Sequence, residues 1–431
     1  MVLSAVVEST AMNLAVLSVI AFAIAIIVSC ISEINVGFLS IAFAFIVGVA
    51  FGGMKVAEVV AGFPISLFMI LTGVTLLFSQ ASVNGTLEKV ARTSVKLARG
   101  NVGMIPVIFL FLAAILASIG AGNIATVALL APVGMAIAGN IGISGFLMTV
   151  CICCGANAGA LSPIAPTGVI ANGLLSRIGI TGQEWPTYLN NLVAEAFVGL
   201  AGYFICGGYK LFGRKTTALE QKLDDFLTTG DKPTTWQQKL TMTVIALLIV
   251  SVSFFKVDVG MGAFIAAVFL TLCRAADEEA AVKKMPWNVI LMVSGVTVLI
   301  SILEKKGGMD LFTTILARFS TEKSVTGVMG FVTGLISVYS SSSGVVLPAF
   351  IPTIPGLIQK IGGGDPMAIA SSINVGAHLV DVSPLSTLGA LCIANAATSE
   401  NRKVLFNKLM AWGLSMSVIG AFVCWIFFGL L

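Results

Sequence analysis

The sequence predicts an all-α polytopic membrane protein made of two inverted-topology repeats, each with five transmembrane helices, a re-entrant hairpin and a broken helix. Three observations carry this reading. First, the 431 residues are 57% hydrophobic and only 10% charged, against roughly a quarter charged in soluble proteins. Mean hydropathy is +1.03. At about 20 apolar residues per spanning helix, the chain supplies roughly ten to fourteen crossings. Second, short motifs recur in order between the two halves. Third, Lys and Arg are distributed unevenly between loops. The composition excludes a soluble enzyme, a disordered chain and a nucleic-acid binder, so the bilayer is the environment and nucleic acid is not a partner. Strands of an outer-membrane barrel would alternate in polarity instead of running apolar throughout.

No Lys or Arg precedes Lys55 and the N-terminal stretch carries only Glu8. A secretory signal needs a basic leading region, so 10–31 is expected to be a retained helix. Apolar runs follow at 36–53 and 64–82. In 84–100, Lys89, Arg92, Lys96 and Arg99 recur at three- and four-residue spacing, which places them on one face of an amphipathic helix at the cytoplasmic surface. Runs 103–120 and 124–140 are joined by Gly120-Ala121-Gly122-Asn123; they form either two crossings or one hairpin. Next come a broken segment at 143–178 and a run at 191–212. The polar stretch 213–238, with Arg214, Lys215, Asp224, Asp225, Asp231 and Pro233, reads as a cytoplasmic linker. It separates a first repeat (1–212) from a second (239–431), whose hairpin falls at about 323–360 and broken helix at about 366–397.

The halves match residue by residue. Pro64 and Gly73-Val74-Thr75 recur as Pro286 and Gly295-Val296-Thr297, and Val36-Gly37 as Val259-Gly260. Leu97-Ala98-Arg99 recurs as Leu316-Ala317-Arg318 and Pro132 as Pro352, while Gly155-Ala156 and Ser162-Pro163 recur as Gly376-Ala377 and Ser383-Pro384. Offsets stay near 220, and internal repeats of this size mark secondary transporters. If 103–140 is a hairpin, each half has an odd number of crossings and the second half inverts. That arrangement puts 16 of the 24 Lys and Arg on the cytoplasmic side, as the positive-inside rule favours. Both termini are then outside the cytoplasmic (inner) membrane. With two full crossings the repeats would be parallel, and the charge bias argues against that.

Four polar stretches broken by Gly or Pro lie deep inside apolar runs: 120–126, 155–168, 340–344 and 374–387. Irregular backbone at membrane depth is tolerated only where protein buries it or it lines a cavity. Each break frees helix N-termini that suit an anion, and unwound carbonyls that suit a small cation. Pro163 and Pro384 stop the helix from running through. No Lys or Arg occurs from Gly103 to Ser176 or from Ser324 to Gln359. An anionic substrate would therefore be neutralised by dipoles, hydroxyls and a co-bound cation, which points to cation-coupled uptake. His378, the only histidine, and Asp381, an intramembrane carboxylate of a type that is functional by default, sit three residues apart. On a helix they would meet as a protonatable pair or a cation ligand. Their repeat partners are Asn157 and Ala160, so an ionisable role belongs to the second half. Cys151, Cys153 and Cys154 lack nearby His or carboxylate in sequence and read as packing residues. Trp185, Trp236, Trp287 and Trp412 read as interfacial anchors.

These residues resemble a known family. Gly122-Asn123-Ile124-Ala125-Thr126 with Pro132 resembles the Ser-Asn-Thr-Ala-Thr…Pro hairpin tip of divalent anion/sodium symporters, and Ser162-Pro163-Ile164-Ala165-Pro166-Thr167 resembles their broken-helix loop. Across nearly the whole chain the resemblance is to MatC-type malonate/dicarboxylate carriers of the ion transporter superfamily. It implies paired hairpins, a scaffold-mediated homodimer, elevator-type movement and a small dicarboxylate substrate, malonate leading. Gly122 and Ile124 depart from the family Ser and Thr, and the second tip, Ser341-Ser342-Ser343-Gly344, has no Asn.

The expected function is secondary active import of a dicarboxylate by cation-coupled symport, with Na+ or H+ as coupling ion, Na+ at the hairpin tips, no other cofactor and no enzymatic activity. The candidate substrate site comprises Asn123, Thr126, Asn157, Ser162, Pro163, Thr167, Ser342, Ser343, Gly344, Ser383, Pro384, Ser386 and Thr387. Candidate cation or proton groups are Gly122, Asn123, Ala160, Ser341, Ser343, His378 and Asp381. A cation/proton antiporter using Asp381, and a carrier of succinate, lactate or gluconate, are the alternatives the residues leave open.

Overall fold

Apolar runs fold into helices because a lipid-facing backbone must satisfy its own hydrogen bonds. The computed structural model describes residues 2–32, 34–95, 101–212, 233–255, 257–397 and 400–430. The first half contains α1 (Val2–Ile31), α2 (Val36–Phe45), α3 (Val56–Val60), α4 (Ile65–Val83), α5 (Thr86–Val95), α6 (Met104–Leu116), α7 (Gly122–Ile141), α8 (Gly145–Ala160), α9 (Pro166–Arg177) and α10 (Glu184–Ile205). The second contains α11 (Trp236–Phe255), α12 (Val259–Leu272), α13 (Glu278–Lys284), α14 (Trp287–Lys305), α15 (Gly308–Arg318), α16 (Val325–Ser337), α17 (Leu347–Phe350), α18 (Ile354–Ile361), α19 (Pro366–Leu379), α20 (Thr387–Ala394) and α21 (Arg402–Cys424). Among the described residues five helical stretches are long and apolar enough to cross a membrane, including Ile65–Val83, Trp287–Lys305 and Arg402–Leu430. The molecule is thus a polytopic α-helical membrane protein. Of the expected surface helix, α5 covers Thr86–Val95, while Lys96 and Arg99 lie outside the described residues. So do residues 213–232 of the linker.

Corresponding positions in the two halves make corresponding contacts. Asn35 caps α2 by accepting from the Gly37 amide, and Asp258 caps α12 by accepting from the Met261 amide. Such caps satisfy the free donors of a first turn. Gly37 lies against the Leu291 carbonyl of α14, so a Cβ there would sit 2.2 Å from that oxygen; Gly295 returns the contact at 2.1 Å from the Gly37 carbonyl. The same exchange joins the other pair: a Cβ on Gly73 of α4 would meet the Gly260 carbonyl of α12 at 2.6 Å. Each glycine lets two backbones approach more closely than any side chain allows.

The hairpin regions follow the same logic. Gly120 takes φ 113° and Gly122 φ 76°, a left-handed turn that L residues resist. The chain then folds back, with Gly134 of α7 against the Phe109 ring of α6. Gly155 of α8 packs on the Leu110 carbonyl of α6, and Gly376 of α19 on the Gly330 carbonyl of α16. One apolar core joins α6, α7, α8 and α10 to Val338 just after α16 and to α19, α20 and α21. A second gathers α1, α2, α9 and α14 around the returning arm at Val345–Leu357. A third joins α4, α11 and α12.

Candidate functional site

The first tip is built from amides. Asn123 begins α7, where its Oδ1 accepts from the Ile124 amide at 3.0 Å and its Nδ2 donates to Asn157 Oδ1 at 2.9 Å. Asn157 in turn donates to the carbonyl of His378, its repeat counterpart, at 2.9 Å. Asn191 of α10 donates to the Asn157 carbonyl at 2.7 Å. Buried amides earn their place only when paired, and this chain ties the hairpin tip, both broken helices and α10 together.

The second tip is built from hydroxyls and a carboxylate. Ser342 donates to Asp381 Oδ1 at 2.7 Å and lies 2.5 Å from Ser337. A hydroxyl has one proton to give, so Ser337 donates to Ser342 in turn. Ser386, which precedes α20, also donates to Asp381 Oδ1, at 3.2 Å. Ser341 Oγ accepts from the Gly344 amide at 3.0 Å and turns the tip. The loops after α8 and α19 are pinned alike. Ser162 donates to the Ser118 carbonyl at 2.7 Å and Ser383 to the Val338 carbonyl at 3.1 Å.

Two cavities flank the tips. One, about 350 Å³, is lined by Ser341, Ser342, Ser343, Asp381, Ser386 and Thr387 together with Asn123, Asn35, Asn288 and Tyr339. The other, about 390 Å³, is lined by Gly122, Asn123, Thr167 and Ser343, with Phe78, Pro166 and Pro286, and has Lys284 at its edge. Both volumes fall within the usual range of small-molecule sites. Asn123, Ile124 and Ser343 border both. The second cavity receives the N-termini of α7 and α9 and one cation, which favours an anion. The first holds a carboxylate beside hydroxyls, which favours a cation or proton.

Other anticipated residues stand behind these walls. Thr126, Asn157, Ser162, Pro163, Gly344, Ser383, Pro384, Ala160 and His378 line neither cavity. Thr126, Asn157, Ala160 and His378 are fully buried. The side chains of His378 and Asp381 do not meet, although the Asp381 amide donates to the His378 carbonyl at 3.0 Å. The helix ends at Leu379, so Asp381 already sits in the turn and faces Ser342 and Ser386. The His378 Nδ1 instead donates to the Asn374 carbonyl one helical turn back, at 2.7 Å. Trp185 and Trp236 are exposed as expected of anchors. Trp412 packs edge-on against Phe146 with ring centres 5.8 Å apart, so its place is between helices. Cys153 and Cys392 lie 3.8 Å apart sulfur to sulfur, and the described cysteines are free thiols.

Sequence reasoning passed over Asn35 and Asn288, whose link (Asn35 Nδ2 to the Asn288 carbonyl, 3.0 Å) closes one wall of the first cavity. It also missed Glu195. The apolar run was read as starting at 191, which put Glu195 near an end. In fact α10 begins at Glu184 and places it mid-helix.

Comparisons with known proteins agree with this architecture. Residues 12–160 match the family model of the dicarboxylate carrier protein MatC N-terminus. Uncharacterized transporters of Mycobacterium tuberculosis and Mycobacterium bovis are each 22% identical over 350 residues, covering 77% of this chain and 78% of theirs. MtrF of Neisseria gonorrhoeae, described as illuminating a class of antimetabolite efflux pumps, shares the fold with a TM-score of 0.55 at 12% identity, over 86% of this chain and 82% of that one. The resemblance read from the tip residues therefore stands for the first half, and the relatives support a transporter.

Proposed function

We propose that this protein is a secondary active carrier of a small dicarboxylate, malonate first among candidates, which moves with a coupling cation. One observation carries the reading: Asn123 and Ser343, from the tips of different halves, both border both cavities. A ligand at that junction touches both repeats at once, as alternating access about a pseudo-twofold axis requires. The dicarboxylate belongs beside the N-termini of α7 and α9, and the cation or proton beside Asp381 with Ser342 and Ser386. A dianion entering next to a bare carboxylate would be repelled, so neutralising Asp381 and loading the substrate favour one another.

The paired glycine contacts support two inverted repeats, with α2, α4, α12 and α14 as a scaffold. The core that unites the first hairpin, α6 and α7, with α8, α10, α19 and α21 is the unit that would slide against it. Asn35 lines one cavity and Lys284 the other, and the charge count assigns both residues to the cytoplasmic side, so we read this as an inward-facing form.

The test is radiolabelled malonate uptake by proteoliposomes of the purified protein, with Na+ and proton gradients imposed separately. Uptake should rise with one gradient and stay at the leak level with neither. No uptake under either would overturn the dicarboxylate reading. The carboxylate in a cavity wall also supports a second reading, cation/proton antiport at Asp381. Proton release driven by Na+ or Li+ without any dicarboxylate would establish that instead.

A further inference from the structure

Glu195 lies at the centre of the 22-residue helix α10 with no exposed surface. Neither carboxyl oxygen has a hydrogen-bond partner. The Cys154 thiol of α8 faces it without closing a bond of good geometry. Among the described residues, ion pairs join Lys283 to Glu279 and Lys360 to Asp310, and none involves Glu195. The other titratable groups on packed elements are Cys151 and Cys153 on α8, His378 on α19, Arg177 at the end of α9, before α10 begins, and Tyr209 and Lys210 beyond the end of α10, with Asp381, the other carboxylate near it, beyond the end of α19. None of these supplies a positive charge beside it. A bare carboxylate in such a place is costly, because desolvation is not offset by any cation or donor.

A second observation is that further buried polar atoms without partners recur on α10 and on the helix packed against it. One and two turns before Glu195 on α10, Asn191 Oδ1 and Thr187 Oγ1 are also buried and unpartnered. On α19, which packs against α10 through the Asn190–Ser371 hydrogen bond of 2.8 Å, both polar atoms of the Asn374 side chain and the Nε2 of His378 are likewise unpartnered. Polar atoms are therefore arrayed along the seam between α10 and α19 with spare hydrogen-bonding capacity. The seam joins the substrate junction through Asn191, Asn157 and Asn123.

We propose that Glu195 is a proton-binding site of the moving core, holding a proton in the inward-facing form and exchanging it with water as the core moves. The step is a simple protonation: the carboxylate takes H+ from hydronium, releasing water, and returns it on the other side. The amide chain passes the presence of substrate at Asn123 to the helix that bears Glu195. This deepens the carrier reading above and rests on it for the link to substrate.

The test has two arms. In purified protein, the infrared carbonyl stretch of a protonated carboxylic acid should be present in the wild type and lose one component in Glu195→Gln, a near-isosteric change. In proteoliposomes with an internal pH indicator, malonate addition should drive proton entry in the wild type. Glu195→Gln should reduce that entry at least tenfold, and Glu195→Asp should restore part of it, with malonate affinity within about twofold in both. A spectrum unchanged by Glu195→Gln, or full proton entry in that variant, would overturn the proposal. If wild-type protein binds no malonate, the carrier reading fails by itself. The infrared arm still decides whether Glu195 holds a proton, and should Glu195→Gln misfold, the Glu195→Asp protein decides it: a shifted carbonyl component supports the proposal and an unchanged band overturns it.

Discussion

The two hairpin tips occupy matching places in the two halves and do different chemistry. The hydrogen bonds of Asn123 all go to neutral groups: its amide accepts from the Ile124 N–H, pairs with Asn157, and through it reaches His378 and Asn191. Around Ser342 the same position in the fold is occupied by hydroxyls converging on Asp381. What stays constant is backbone packing. Gly155 and Gly376 rest on carbonyls, and Ser162 and Ser383 tie the following loops to carbonyls. Matching contacts blind to side-chain chemistry thus hold both regions, which leaves the side chains at their tips free to differ.

Enlarging the shared glycines should have the largest effect. A Cβ at Gly155 would lie 2.1 Å from the Leu110 carbonyl and one at Gly376 2.4 Å from that of Gly330. Gly155→Val and Gly376→Val should each cost about 1–3 kcal/mol or more through overpacking, lowering the thermal midpoint in detergent alike. A loss in one half only would break the claim that both rest on equivalent packing. The tips should then separate. Asn157→Ala strands the Asn123 amide, at about 1–3 kcal/mol, and lowers the midpoint, while the His378 carbonyl keeps the Asp381 amide as a donor. Asp381→Asn preserves shape, so it should leave the midpoint nearly unchanged while weakening the dependence of malonate uptake on the coupling gradient. Equal effects of the two on stability would mean that the second tip is as structural as the first. The smallest effects belong to Ser162→Ala and Ser383→Ala. Each removes one hydrogen bond to a carbonyl, worth about 0.5–1.5 kcal/mol, and Ser383→Ala also removes the long bond from the Leu385 amide, so its midpoint should fall by as much as that of Ser162→Ala or slightly more.

Much of this contrast can be read in the chain itself, for definite reasons. Gly37, Gly73, Gly260 and Gly295 reveal the repeat because a backbone contact admits nothing larger, so the residue type is dictated. Asp381 is conspicuous as a carboxylate within an apolar run. The partners of each residue are less visible. Spacing suggested that His378 and Asp381 meet on one helix face, but a helix that stops at Leu379 sends them apart. The approach to Pro384 is where that ending could have been anticipated, since residues before proline leave the helical region. Glu195 was hidden by a boundary: Glu184, Trp185 and Pro186 look like a loop, yet Pro suits a first helical turn, and α10 starts there. Asn35 and Asn288 lie 253 residues apart, and nothing local announces their contact.

The central claim is that one ligand is held by both tips. It is tested most directly by titrating malonate calorimetrically into the wild type, Asn123→Ala, Ser343→Ala and the double variant, with the coupling cation at saturation. The account predicts that both single changes weaken binding and that their effects are non-additive by more than about 0.5 kcal/mol, the mark of residues sharing a partner. Strict additivity, or a Ser343→Ala protein that binds as the wild type does, would contradict it.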